Sequence, residues 1–250
     1  MAVLSVSLAL SRWTDLGIVL LDRGGDPAAP VACEIVMWNE PGLVDPDILA
    51  GRLNHLCGVR GIRVLLMDGP QAWKSRTNGL LHARVSERQV NTATKTGLPG
   101  MVKPAPLRNF AEFCVDVYDA LCRRGWRRLD TRMEPGGIKG RILVETYPHG
   151  AWKSLGINPL PAKRKALVSD LAEAFGALRA VVPLTVSRPP NHDQLQAIVA
   201  GLPGLALEEE DTAGARILGA APRREDGQWR EGFIVMPQIP KTRDRIRWLN

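Results

Sequence analysis

The sequence predicts a mixed α/β fold, and three observations carry that prediction. Three apolar, alternating runs stand close together at the start. Strand-like and helix-like segments then alternate along the rest of the chain. One short run, "RVLLMDGP", is apolar throughout, ends on Asp68 and then turns. Consecutive strands joined by short turns form antiparallel meanders, whereas strands separated by helices form crossovers.

The first strands are 3–10, 16–22 and 31–38, separated by "SRWTD" and "RGGDPAAP", both rich in turn formers. "DPDILAGRLNHLCG" reads as a helix. Asp45 is its N-cap, Pro46 its first helical residue, and Leu49, Leu53 and Leu56 share its apolar face, with Gly58 as the stop. A fourth strand, 62–68, carries Asp68. Residues 69–106 are long, polar and irregular, with helical character over 79–90. A loop of that length in a compact domain is usually functional or mobile. A helix follows over 107–124, with Phe110, Cys114, Val117 and Leu121 at helical spacing. "GGIKGRILVETYP" is a turn and then a strand ending on Glu145. Pro161 opens an amphipathic helix with Leu167, Leu171, Phe175 and Leu178 as its stripe. "NHDQLQAIVAGL" starts a further helix, and "EGFIVMP" is a last short strand or extended segment. Three antiparallel strands followed by two that join through helical crossovers is the order of the RNase H-like mixed sheet flanked by helices. The expected organisation is one such domain over 1–250, with an insertion at 69–106 and a basic tail at 238–250.

Composition narrows the function classes. The chain has 250 residues, 45% of them hydrophobic, and a formal net charge of +7. That is enough for one sizeable core, and the basic balance favours polyanionic partners, nucleic acid among them. No stretch reaches the ~18 apolar residues of a membrane span. "MAVLSVSLALSRW" has neither a basic leader nor a cleavage site, so the expectation is a first strand in a cytoplasmic protein. Cys33, Cys57, Cys114 and Cys122 stand alone in apolar contexts and read as core thiols, with no zinc or disulfide pattern.

Asp68 and Glu145 both end apolar strands, and Asp193 lies in the first turn of a helix. Each alone suits a turn or cap; together they suit the several carboxylates that a two-cation phosphoryl hydrolase needs. His149 and His192 lie beside two of these acids and read first as surface or capping residues. "RRGWRR", with Trp126 among Arg123, Arg124, Arg127 and Arg128, reads first as solvated surface, with base stacking as the alternative. "PAKRK" places Lys163, Arg164 and Lys165 at a helix start, where positive charge opposes the dipole and suits a facing anion. "KTRDRIRW" is a further basic stretch.

"VLLMDGPQAW", "RVSERQV", "LVETYPHGAWKSLG", "NHDQLQAIVAGL" and "EGFIVMP" occur in this order. In that order they resemble domain of unknown function 429, a family described as predicted RNase H-like nucleases. The resemblance runs from the first strand to about residue 237. It implies a metal-dependent phosphodiester hydrolase using Mg²⁺ or Mn²⁺ if active. Asp68, Glu145 and Asp193 would be catalytic residues and metal ligands, and Arg84 and Arg88 would bind substrate phosphate; Lys163 joins them on its charge at the helix start alone. The sequence departs from the family twice. Ser7 stands where the first strand usually carries an acid, and Gln196 stands where the late helix carries a second. Neutral oxygens hold hard cations far less tightly than carboxylates. Weak or absent nuclease activity is therefore expected. The alternative is a catalytically inactive scaffold that binds nucleic acid, a nucleotide or a protein partner.

Overall fold

The computed structural model describes residues 2–26, 28–130, 139–211 and 213–238. Its strands are β1 (Ala2–Ser7), β2 (Gly17–Asp22), β3 (Val31–Val36), β4 (Val64–Asp68), β5 (Lys95–Thr96), β6 (Val102–Lys103), β7 (Arg127–Arg128), β8 (Ile142–Thr146), β9 (Leu184–Val186), β10 (Ala215–Glu225) and β11 (Gln228–Pro237). The helices are α1 (Pro46–Val59), α2 (Val85–Val90), α3 (Arg108–Arg123), α4 (Pro148–Ser154), α5 (Val168–Val181) and α6 (His192–Glu208).

The main sheet runs β10-β11-β8-β4-β1-β2-β3-β9, with β7 also paired to β8. β1, β2 and β3 form the expected antiparallel meander. β4 joins β1 in parallel and β8 joins β4 in parallel. The order β3-β2-β1-β4-β8, with β2 reversed, is the RNase H-like arrangement, a mixed sheet flanked by helices.

Helices cover both faces, so β4 is buried on both sides and reads as an unbroken apolar run. On one face Val3, Val19, Leu66 and Val144 meet Leu195, Ile198 and Leu202 of α6 together with Trp152 of α4. On the other, Leu4, Val6, Leu65, Met67 and Leu143 meet Leu49 and Leu53 of α1 and Cys114, Val117 and Tyr118 of α3. All four cysteines are free, three of them buried. Asp45 caps α1 as expected: its carboxylate accepts from the Asp47 and Ile48 amides, both at 2.9 Å.

Four expectations need correction. The helix of 79–90 is confined to α2, because Glu87 reaches back to accept the Arg84 amide at 3.0 Å and sets the start there. Pro161 does not open α5. Asp170 accepts the Leu167 amide at 2.8 Å, so that helix starts seven residues later, and Leu167 is exposed rather than part of its stripe. "EGFIVMP" belongs to a long hairpin, β10–β11, whose first strand carries Gly219, Pro222 and three arginines and gave no strand signal. Trp126 is only 2% exposed and donates its indole N–H to Asn54 at 3.0 Å, so it is no stacking platform. Of the arginines around it, Arg123 and Arg124 pair with Asp47, and Arg128 is buried against Asp119 and the Trp229 ring. The basic stretch 241–248 lies outside the described residues. Among the described residues no helix is long and apolar enough to cross a membrane.

Candidate functional site

β1, β4 and β8 run in parallel, so their C-terminal ends open at one rim. A cleft of about 320 Å³ lies there, and Asp68, Glu145 and Asp193 all line it. Register decides how they meet. Asp68 sits opposite Thr146, and Met67 opposite Glu145. Successive side chains on a strand point to opposite faces. Thus Asp68 and Thr146 follow the α6 face, which also holds Leu66 and Val144. Glu145 follows Met67 and Leu143 toward α3.

Asp68 is partly buried. Its Oδ2 accepts the Ser7 hydroxyl at 3.0 Å and its Oδ1 accepts the Leu8 amide at 2.5 Å. Ser7 therefore anchors Asp68 from the strand position where the family resemblance implies an acid. Burial pushes the Asp68 carboxyl up to about 7 against these two donors, and the charge of Asp193 adds to the rise. A carboxyl with that value, in a cleft, is the kind of group that marks functional sites.

Glu145 is held differently. Arg84, itself 1% exposed, grips it with two parallel bonds of 2.6 and 2.5 Å. The Gln71 amide donates to the same carboxylate at 3.0 Å. The Arg84 Nε donates to Glu87 at 3.0 Å, and Glu87 also accepts the Thr96 amide. Burial alone would make Arg84 easier to deprotonate; the charges of Glu145 and Glu87 outweigh it and raise its pKa. Arg84 is thus an internal counter-ion, and its guanidinium is spent on carboxylates rather than offered to substrate phosphate.

Asp193 opens α6 within reach of Lys163, which also bonds Asp15 at 2.8 Å. Lys163 faces anions as expected, and those anions are the protein's own. Burial lowers the Lys163 pKa, but its bonds to Asp15 and Asp193 outweigh that and raise it. His192 lies 3.4 Å from Asp193 and 3.0 Å from the Pro161 carbonyl, and the bond to Asp193 raises its pKa. His149, beside Tyr147, is shifted down by burial and by Lys153. Arg88 is exposed on α2 and carries no ion pair among the described residues.

Gln196 has a structural partner. Its Oε1 accepts the indole N–H of the fully buried Trp152 at 2.9 Å. That bond ties α6 to α4 and leaves the amide nitrogen for the cleft. The start of α6 is also pressed on β2. A Cβ on Gly17 would come within 2.1 Å of the Asp193 carbonyl oxygen. Gly17→Ala is therefore expected to displace the first turn of α6 and cost about 1–3 kcal/mol. An unchanged midpoint in a thermal melt would show that this turn has room to move.

These contacts bear directly on a divalent cation. Among the described residues no group of three or more histidine, cysteine, aspartate or glutamate side chains is placed to hold a metal ion. The expected ligand set of Asp68, Glu145 and Asp193 shares a cleft but does not assemble into a metal centre. The reasons are the register that turns Glu145 away from Asp68 and the internal cations that already hold Glu145 and Asp193. The residues present do not fit Mg²⁺ or Mn²⁺ as they stand.

No protein-family model matches the sequence, and no curated protein matches it. Among solved structures the chain is similar to Thermus thermophilus RuvC, with 13% identity and a TM-score of 0.37, over 80% of this chain and 90% of that one. It is similar to the same extent to T. thermophilus RuvC in complex with Holliday junction substrate, at 11% identity and a TM-score of 0.37, with the same coverage of both chains. The RNase H-like assignment rests on the order and direction of the strands.

Proposed function

We propose that this chain is an RNase H-like protein that binds nucleic acid over the cleft and hydrolyses phosphodiesters weakly or not at all. The observation that carries the reading is the Arg84–Glu145 pair. A buried guanidinium supplies, within the protein, the positive charge that a divalent cation would bring to the strand ends. Two-metal hydrolysis requires cations free to contact the scissile phosphate, and Arg84 is sequestered from any phosphate. The net charge of +7 and the exposed Arg88, which has no ion pair among the described residues, support a polyanionic partner. Asp68, Glu145 and Asp193 are then descendants of a hydrolytic site, with Glu145 and Asp193 charge-balanced from within.

Two measurements test this. Mg²⁺ or Mn²⁺ is expected to leave the melting temperature unchanged, because a ligand stabilises only where it binds the folded state. A fluorescent single-stranded oligonucleotide is expected to bind with an affinity that falls steeply with salt, through counter-ion release, and to remain uncut. Robust metal-dependent cleavage that Asp68→Asn abolishes would overturn the proposal. So would absence of binding at low salt.

A further inference from the structure

The cleft carries two polar groups that its charged pairs do not use. Thr146 is 2% exposed, and its hydroxyl has no hydrogen-bond partner among the described residues. Buried polar groups are nearly always satisfied, so an orphan on the wall of a cleft calls for a partner from outside. Gln196 is the second. Trp152 fixes its carbonyl, and its amide nitrogen has no partner among the described residues. Gln196 lies one turn into α6 and Thr146 ends β8, its hydroxyl closed to solvent just under the wall, so a group entering the cleft would meet the fixed amide donor directly and the hydroxyl once the wall beside it gives way. The Phe110 and Tyr147 rings, both partly exposed, also form part of the wall.

Charge decides what class of ligand suits this wall. The acidic and basic side chains lining the cleft are Asp68, Arg84, Glu87, Glu145, His149, His192 and Asp193, with the Tyr147 phenol beside them. Glu87 and Glu145 are held by Arg84, Asp193 by Lys163, and both oxygens of Asp68 accept protein hydrogen bonds. A phosphate pushed inside would meet carboxylates whose cations are already engaged. A planar, uncharged group with hydrogen-bonding edges meets no such penalty, and aromatic rings suit its faces. We infer that the cleft receives a nucleobase, read at its edge by Thr146 Oγ1 and Gln196 Nε2, while the phosphate stays outside. A volume of about 320 Å³ lies at the lower end of the range for small-ligand sites. In a strand the base would have to be unpaired or turned out of its stack. The inference rests on the nucleic-acid reading above and specifies which part of the polymer enters.

The test is calorimetric titration of the full chain with adenosine, guanosine, cytidine and uridine singly, and with inorganic phosphate. Single-stranded oligonucleotides with and without an abasic stretch complete the set. At least one nucleoside is expected to bind, with an affinity that salt does not change and that phosphate does not compete away. Thr146→Val, which removes a hydroxyl that has no partner among the described residues, is expected to weaken it about tenfold. Gln196→Glu keeps an acceptor for Trp152 but removes the amide donors. It is expected to weaken binding similarly and gives a second reading should Thr146→Val fold poorly. The abasic strand is expected to bind more weakly than the intact one. If strands bind with steep salt dependence but no nucleoside binds and neither variant has an effect, the cleft assignment fails and the nucleic-acid reading stands. If nucleosides bind in a Thr146-dependent way but no strand does, the nucleic-acid reading fails and the cleft assignment stands. Phosphate displacing the nucleoside would overturn the inference.

Discussion

Arg84→Leu is expected to cost about 3–5 kcal/mol of stability, the range for leaving a buried charge without its partner. Arg84 answers two carboxylates at once. Glu145 is 3% exposed and Glu87 2%, and neither has another cation among the bonds the structure shows. Removing the guanidinium strands both. Adding Glu145→Gln to Arg84→Leu should restore part of the loss, because the amide is neutral and still accepts from the Gln71 amide. Mn²⁺ should also recover part of it in the single variant, where two buried carboxylates lack a cation, and should do nothing to the parent. Urea unfolding of the three proteins, with and without metal, measures all of this. A single variant that loses less than about 1 kcal/mol, the range of an exposed pair, would mean that Arg84 is not the counter-ion its geometry describes.

Asp68→Asn is expected to stabilise the protein above neutral pH. The carboxyl rises from an ordinary 3.8 to about 7 in the fold, chiefly through burial. Between those values the folded chain holds a proton that the unfolded chain has released. Stability must therefore fall as pH rises across that window, by on the order of 2–4 kcal/mol, and then level off. Asparagine has no charge to bury and can still accept from the Leu8 amide, where Asp68 accepts at 2.5 Å. The variant's profile should lose this fall, with the largest gain over the parent at about pH 8. Chemical unfolding at a series of pH values reads it directly. Parallel profiles for the two proteins would show that the Ser7 and Leu8 donors keep Asp68 ionised.

Much of the scaffold was legible in the residues. Alternation with short turns predicts the meander of β1, β2 and β3, because period two and a tight turn are properties of adjacent residues. Asp45 and Pro46 set the start of α1 for the same reason: a cap needs only the next three residues. The unbroken apolar run of β4 marks a strand buried on both faces and places Asp68 at its end. Asp68, Glu145 and Asp193, singled out at element ends in the sequence, all line one cleft.

What those residues do there was decided by tertiary structure alone. The β4–β8 register puts Thr146 rather than Glu145 beside Asp68, and a slip of one residue would exchange their faces. No local pattern encodes that choice; it is set by which side chains fit against α3 and α6. Arg84 reads as a phosphate clamp in sequence because an arginine in a polar insertion has no visible partner. Only the return of the 69–106 segment over the sheet brings it to Glu145, 61 residues away. Gln196 reads only as a lost acid until Trp152, 44 residues earlier, is seen to donate to it. Strand alternation and helix caps are settled by neighbours in the chain. Charge pairing and hydrogen-bond satisfaction are settled by whatever the packed core brings within about 3 Å, and the contacts that define this site are long-range.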